Sequence, residues 1–105
     1  MARSVEITLL KKKVVTDAIK AKRVSYIKRK ITGEIKSVSG NEFFRAGQLG
    51  IKASKVAEVF LYDYKNEPLC EIDGIRYQIY RTYEKESDYI ELYLSEDIQD
   101  EDQGV

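Results

Sequence analysis

Leu69-Cys-Glu-Ile-Asp-Gly-Ile-Arg-Tyr-Gln-Ile79 is the stretch on which the fold turns. Asp73-Gly74 interrupts two apolar/polar alternations, and a two-residue type I′ turn needs the positive φ at both central positions that Asp-Gly accepts readily. The register follows from the turn. Ile72 falls opposite Ile75 and Cys70 opposite Tyr77, while Glu71 meets Arg76 as an opposite-charge pair on the other face. Cys70, Ile72, Tyr77 and Ile79 then share one apolar face, the inside of a sheet.

The same parity extends along the chain. Downstream, Arg76, Gln78, Tyr80 and Thr82 face outward, and Arg81 falls inward, so it is expected at a barrel rim beside an acid from the turn or another strand. After the connection Glu84–Asp88, Ile90, Leu92 and Leu94 face in and Tyr89, Glu91 and Tyr93 face out. Upstream, Asp63-Tyr-Lys-Asn-Glu-Pro68 has turn chemistry, with Pro68 at a strand's start or edge. Lys52–Tyr62 carries Val56, Ala57, Val59, Phe60 and Leu61 on both faces, which suits a central strand of a closed sheet. Val5, Ile7 and Leu9 alternate with Glu6 and Thr8 as a first strand bounded by Lys11-Lys12-Lys13. Val14–Arg23 reads as a hairpin connection whose pattern admits either a helical face or a turn at Thr16-Asp17. Val24–Val38, with Ile27, Ile31 and Ile35, reads as a long strand bent or bulged near Gly33.

One segment breaks the alternation. Ser39 is an N-cap candidate with Glu42 reaching back to it, and Gly47 or Gly50 is placed to end the helix in a left-handed conformation. Phe43 and Phe44 cannot both face one side of so short a helix; one is expected in the core and the other toward a partner. The reading is therefore an all-β, small single-domain β-barrel of about six mostly antiparallel strands with one short helix, about Gly40–Ala46. The barrel occupies residues 1–98, and 99–105 form an acidic disordered tail.

Composition narrows the function. The chain has 105 residues, 43% of them hydrophobic, which suits a single domain with one modest core. It has no histidine, so histidine triads and histidine metal sites are excluded. No carboxylates sit in a spacing that implies a paired catalytic site, so no enzyme and no cofactor are expected. Cys70 is alone and reads as a buried apolar residue. No apolar run is long enough for a membrane span, so a soluble, cytosolic protein is expected. The net charge is zero, yet residues 1–36 hold eleven Lys/Arg against three Asp/Glu, and the remainder is correspondingly acidic. Such polarity is neutralised within one barrel or between subunits of an assembly.

Eight tyrosines beside many cations raise the alternative of a single-strand nucleic-acid-binding barrel with stacking platforms. Tyr80, Tyr89 and Tyr93 fall in the acidic half, where phosphate is repelled, and a tyrosine strip with a charged rim fits protein contact better. The basic cluster Lys28-Arg29-Lys30, preceded by Lys20, Lys22 and Arg23, is a solvated strand face or a site of non-specific phosphate contact.

Three blocks stand in order: Gly33-Glu-Ile-Lys-Ser-Val-Ser-Gly-Asn-Glu-Phe-Phe-Arg-Ala-Gly-Gln48, then Asp63-Tyr-Lys-Asn-Glu67, then Asp73-Gly-Ile-Arg-Tyr-Gln-Ile-Tyr-Arg-Thr-Tyr83 with Asp88-Tyr-Ile-Glu-Leu-Tyr93. Together they resemble the phage head–tail adaptor family, the head–tail joining, head closure or stopper proteins of siphophages and prophages of Gram-positive bacteria. The resemblance covers roughly residues 3–98. It implies a structural virion protein, made in the bacterial host cytoplasm and found in the head–tail connector. Its subunits, monomers in isolation, form a ring under the portal, twelve-membered in the family's best-known relatives, that helps to close the DNA channel. The implied partners are the portal or connector proteins, the tail-completion protein and, through non-specific contact, packaged DNA; no membrane is involved. Phe43, Phe44, Arg45, Gln48, Lys52 and Lys55 are the candidate channel or ring contacts, and Tyr80, Tyr89 and Tyr93 the candidate lateral packing residues. A tail-completion or tail-terminator protein is a further alternative within the virion.

Overall fold

The computed structural model describes residues 3–16, 18–19 and 22–96; the expected tail at 99–105 lies outside them. Six strands, β1 (Arg3–Thr16), β2 (Lys22–Ser37), β3 (Ala53–Phe60), β4 (Leu69–Ile72), β5 (Ile75–Glu84) and β6 (Tyr89–Glu96), are joined by one helix, α1 (Gly40–Gln48), and a short 3₁₀ turn at Leu61–Asp63. Every pairing is antiparallel. The order β1-β2-β3-β6-β5-β4 returns to β1, so the sheet closes into a barrel.

The Asp73-Gly74 turn has the expected geometry, with φ of 54° and 79° at its two central residues. Its register pairs Ile72 with Ile75, Glu71 with Arg76 and Cys70 with Tyr77. Closure comes next along the same strand, where Leu9 lies opposite Cys70 and Leu10 opposite Leu69. Inside, Ile7, Leu9, Ala57, Val59, Cys70, Ile72, Tyr77, Ile90, Leu92 and Leu94 form one buried cluster. These are the positions that period-two alternation assigns to a single face, and their dehydration drives the collapse of the sheet upon itself.

Three expectations need correction. Lys11-Lys12-Lys13 do not end the first strand: β1 runs on to Thr16, and β2 starts at Lys22, so half of the 14–23 connection is itself ladder. Long alternating polar runs pair as a ribbon because each backbone group finds a partner across the hairpin. Gly33 carries no bulge: the β1–β2 ladder runs through it without a break in register, and the β2–β3 ladder begins at it. Glycine is needed there for another reason. A Cβ would lie 2.7 Å from Val59 Cγ1, 2.8 Å from Ile7 Cδ1 and 2.9 Å from the Glu58 carbonyl oxygen. Finally, the irregularities that do occur are in β3, between Ala53 and Lys55, and in β5, between Ile79 and Arg81.

The second of these moves Arg81. Ile79 pairs with Leu94 but Arg81 pairs with Tyr93, so Tyr80 is the extra residue of a bulge and strand parity inverts beyond it. Arg81 therefore stands on the outer face with Tyr93 instead of at an inward rim. Its acid comes from α1, as described below.

Gly33→Ala is expected to destabilise the barrel by about 1–3 kcal/mol, because one of the three clashing atoms is backbone and cannot swing away; a denaturant midpoint shift at unchanged m-value measures it. Burial pushes the Cys70 thiol up to about 12. Native protein at neutral pH is accordingly expected to resist thiol-specific reagents that react at once after unfolding.

Candidate interaction surface

Helix α1 begins where the Ser39 hydroxyl accepts the Glu42 backbone N–H at 3.1 Å. It ends in a Schellman arrangement: Ile51 N–H donates to the Ala46 carbonyl at 2.9 Å and Gly50 N–H to that of Gly47 at 3.0 Å, with Gly50 at φ 80°. Of the two glycines offered by the sequence, Gly50 is the terminator and Gly47 lies within the helix. The capping box is only half formed, because the Glu42 carboxylate is engaged elsewhere.

That carboxylate clamps the helix to the barrel. Arg81 grips it with Nε at 3.2 Å from Oε2 and Nη2 at 2.5 Å from Oε1, and the Tyr80 hydroxyl donates to Oε2 at 2.7 Å. The β5 bulge makes this possible by presenting two consecutive residues to one carboxylate. Arg81 also lies over the Tyr93 ring at 3.8 Å, and Tyr80 and Tyr93 meet edge to face at 6.3 Å. Glu42 is only 8% exposed. The Arg81 hydrogen bonds hold its carboxyl below the usual range, outweighing burial, with Tyr80 assisting. Burial and the neighbouring Glu42 raise the Tyr80 hydroxyl.

With Glu42 and Ala46 forming the buried face, the helix leaves its aromatics outside. Phe43 is 51% exposed, Phe44 66% and Leu49 78%. Neither phenylalanine enters the core, contrary to the expectation for one of them. A single buried ion-paired glutamate has set which face turns inward. Arg45, Gln48 and Lys52 are exposed around the same crest, while Lys55 is half-buried, its ammonium 5.9 Å from the centre of the Tyr77 ring. A groove lined by Glu42, Arg45, Ala46, Leu49, Tyr80 and Arg81 runs beside it.

The three candidate tyrosines do not make one strip. Tyr80 and Tyr93 belong to the Glu42 clamp, and the Tyr93 hydroxyl donates to Glu91 at 2.7 Å. Tyr89 sits at the other end of β6 in a separate aromatic group, 6.0 Å from Phe60, which is 5.2 Å from Tyr62. Phe60 and Tyr62 are exposed and were not among the sequence candidates; the run Phe60-Leu-Tyr62 just before a turn was the available signal. Between the two groups, Lys36 bridges Glu58 at 2.8 Å and Glu91 at 2.7 Å, and Lys85 reaches Glu58 at 3.2 Å. Lys36 is raised despite its burial because both carboxylates accept from it. Its hydrogen bond lowers Glu58 against burial; Glu91, which burial alone would raise, ends lowered by Lys36 and Tyr93.

A second clamp holds the base of the β1–β2 hairpin. Arg29 Nε donates to Glu67 Oε2 at 2.7 Å and Nη2 to the Asp63 carbonyl at 2.7 Å. Glu67, 4% exposed, also accepts the Lys65 backbone N–H at 2.8 Å. Arg76 lies over the Tyr26 ring at 4.7 Å.

No protein-family model matches this chain, and no curated protein matches it in sequence. Among the described residues, no helix is long and apolar enough to cross a membrane, and no group of three or more His, Cys, Asp or Glu is gathered for a metal.

Glu42→Gln is expected to destabilise the fold by about 1.5–3 kcal/mol, the range for hydrogen bonds to charged groups. The sign of the pH effect follows from the lowered carboxyl. Its contribution is complete above the ordinary value of 4.5 and is lost as pH falls through the lower folded value. Glu58 and Glu91 act in the same direction, so the variant should show a shallower, not absent, loss of stability between pH 5 and 3, read by thermal melts across that range.

Proposed function

We propose that this protein is a structural component of a phage head–tail connector, of the head closure type, which docks as a ring beneath the portal and helps to close the DNA channel. The observation that carries the reading is the crest of Phe43, Phe44 and Leu49, all exposed on a helix that the buried Glu42 carboxylate, paired with Arg81, holds against the barrel. Large apolar side chains at the surface of a well-capped helix are ready for burial against a partner, with little ordering left to oppose it. The block resemblance supplies the kind of partner, and Arg45, Gln48 and Lys52 around the crest provide a polar rim of the kind found at protein interfaces. The exposed Phe60, Tyr62 and Tyr89 group offers a second apolar surface, as a subunit with neighbours on two sides requires.

On this reading the work is docking, with no bond made or broken. Mixing the purified protein with portal-bearing, DNA-filled capsids and imaging them should reveal a closed ring below the portal. Phe43→Ser with Phe44→Ser should abolish that density while leaving the melting temperature of the isolated protein nearly unchanged, since both side chains are exposed. Absence of any added density with the unaltered protein overturns the proposal.

A further inference from the structure

The distal β1–β2 hairpin belongs to neither the crest nor the barrel. β1 leaves its pairing with β4 after Leu10, and β2 gains β3 as a neighbour only from Gly33. Lys11–Thr16 pair with Lys22–Ile27 as a two-stranded ribbon, while Lys28–Thr32 lie opposite Glu6–Leu10 of the barrel wall and leave the other edge of β2 open as far as Gly33; the molecule measures 50 × 31 × 22 Å. Residues 11–32 hold nine Lys/Arg against a single acid, Asp17. Lys11, Lys12, Lys13, Lys22, Lys28 and Lys30 are all exposed.

The register distributes these lysines over both faces. Lys11 lies opposite Ile27 and Lys13 opposite Ser25, on the face that carries Leu9; Lys12 lies opposite Tyr26, Lys22 opposite Thr16, Lys28 opposite Leu10 and Lys30 opposite Thr8, on the other. A flat acidic surface would be met by one charged face, leaving the lysines of the other face without a role. Cations on both sides of a two-stranded ribbon suit a slot with two negative walls. The major groove of duplex DNA is such a slot: it is about 12 Å wide, admits a two-stranded β-ribbon and is bordered by phosphates on both sides. Exposed Val14, Val15, Val24 and Ile27 lie among the lysines, where apolar contact with thymine methyl groups is available. Four carboxylates of the acidic half, Glu42, Glu58, Glu67 and Glu91, are already engaged by Arg81, Lys36, Arg29 and Lys36 respectively.

We infer that the β1–β2 ribbon is a duplex-DNA-binding arm that enters the major groove and contacts phosphates on both walls. Binding is largely independent of sequence, since lysines on phosphates position the protein without reading bases. The inference does not rest on the connector proposal, and its test contains no capsid, so either can fail alone.

The experiment is fluorescence anisotropy of the full chain with a labelled mixed-sequence duplex of about 20 base pairs across a salt series from about 25 mM upward. Two lysine sets are compared, Lys11→Ser with Lys13→Ser, and Lys12→Ser with Lys28→Ser and Lys30→Ser, together with the matching Lys→Arg variants; melts verify the fold of each. The expected results are a steep fall of affinity with salt and a roughly tenfold or greater loss near 100 mM salt for each Ser set. The slope should shrink by about 0.9 per lysine contact removed, and the Arg variants should bind as the unaltered protein does. The inference is overturned by no duplex binding at the lowest salt, by Ser sets that bind normally, or by sensitivity confined to one face. Single strands bound more tightly than duplex, or polyglutamate competing as well as duplex, overturns it equally. So does self-association that the Ser sets abolish while duplex binding persists.

Discussion

Closure of β1 onto β4 is the constraint on which the rest depends. The seam is only three residue pairs long, yet it brings Leu9 against Cys70 and turns an open sheet, with two exposed edges, into a barrel with an enclosed interior. The central inward side chains, from Ile7 and Leu9 to Leu92 and Leu94, then lose nearly all contact with water. The fit is close enough at Gly33, where β1, β2 and β3 crowd together, that a single methyl group has no room.

Once the barrel is closed, its outer face must hold whatever the chain adds to it, and two buried carboxylates do so in the same way. Glu42 joins α1 to β5 through Arg81 and Tyr80; Glu67 joins the turn-rich segment after β3 to β2 through Arg29. In each case the glutamate is nearly inaccessible while the arginine remains partly solvated. Such an arrangement limits the desolvation cost of the cation and satisfies the buried anion with several donors, the condition under which a buried ion pair holds geometry without a large penalty. None of the buried side-chain polar atoms among the described residues is left without a partner. Position, more than net stability, is what these pairs confer: the helix is fixed with its aromatics outward, and the ribbon is fixed at its root.

The two appendages consequently offer surfaces of opposite character. The helix crest is apolar with a polar rim, suited to a protein partner, and the ribbon is cationic on both faces, suited to polyanion. The ribbon holds most of the Lys/Arg of the basic first third of a molecule whose net charge is zero.

The strand register near Asp73-Gly74, the inward set from Val5 to Leu94 apart from β5 beyond Ile79, and the position of α1 were legible in the sequence, because each rests on local chemistry: a turn that needs positive φ, a period of two, and a cap with its terminating glycine. Three features were decided only by the tertiary structure. The outward turn of Arg81 depends on a bulge that exists only relative to β6, so no count along β5 alone reveals it. The exposure of both Phe43 and Phe44 depends on Arg81 arriving to neutralise Glu42, which makes a glutamate the buried residue against the usual order of hydrophobicity. The extension of the ribbon past Lys13 depends on cross-strand hydrogen bonds between segments whose side chains are nearly all solvated. Sequence alone determined which faces exclude water; the long-range partners determined where the charges, and with them the aromatic crest, came to rest, because an ion pair is specified by two positions that only folding brings together.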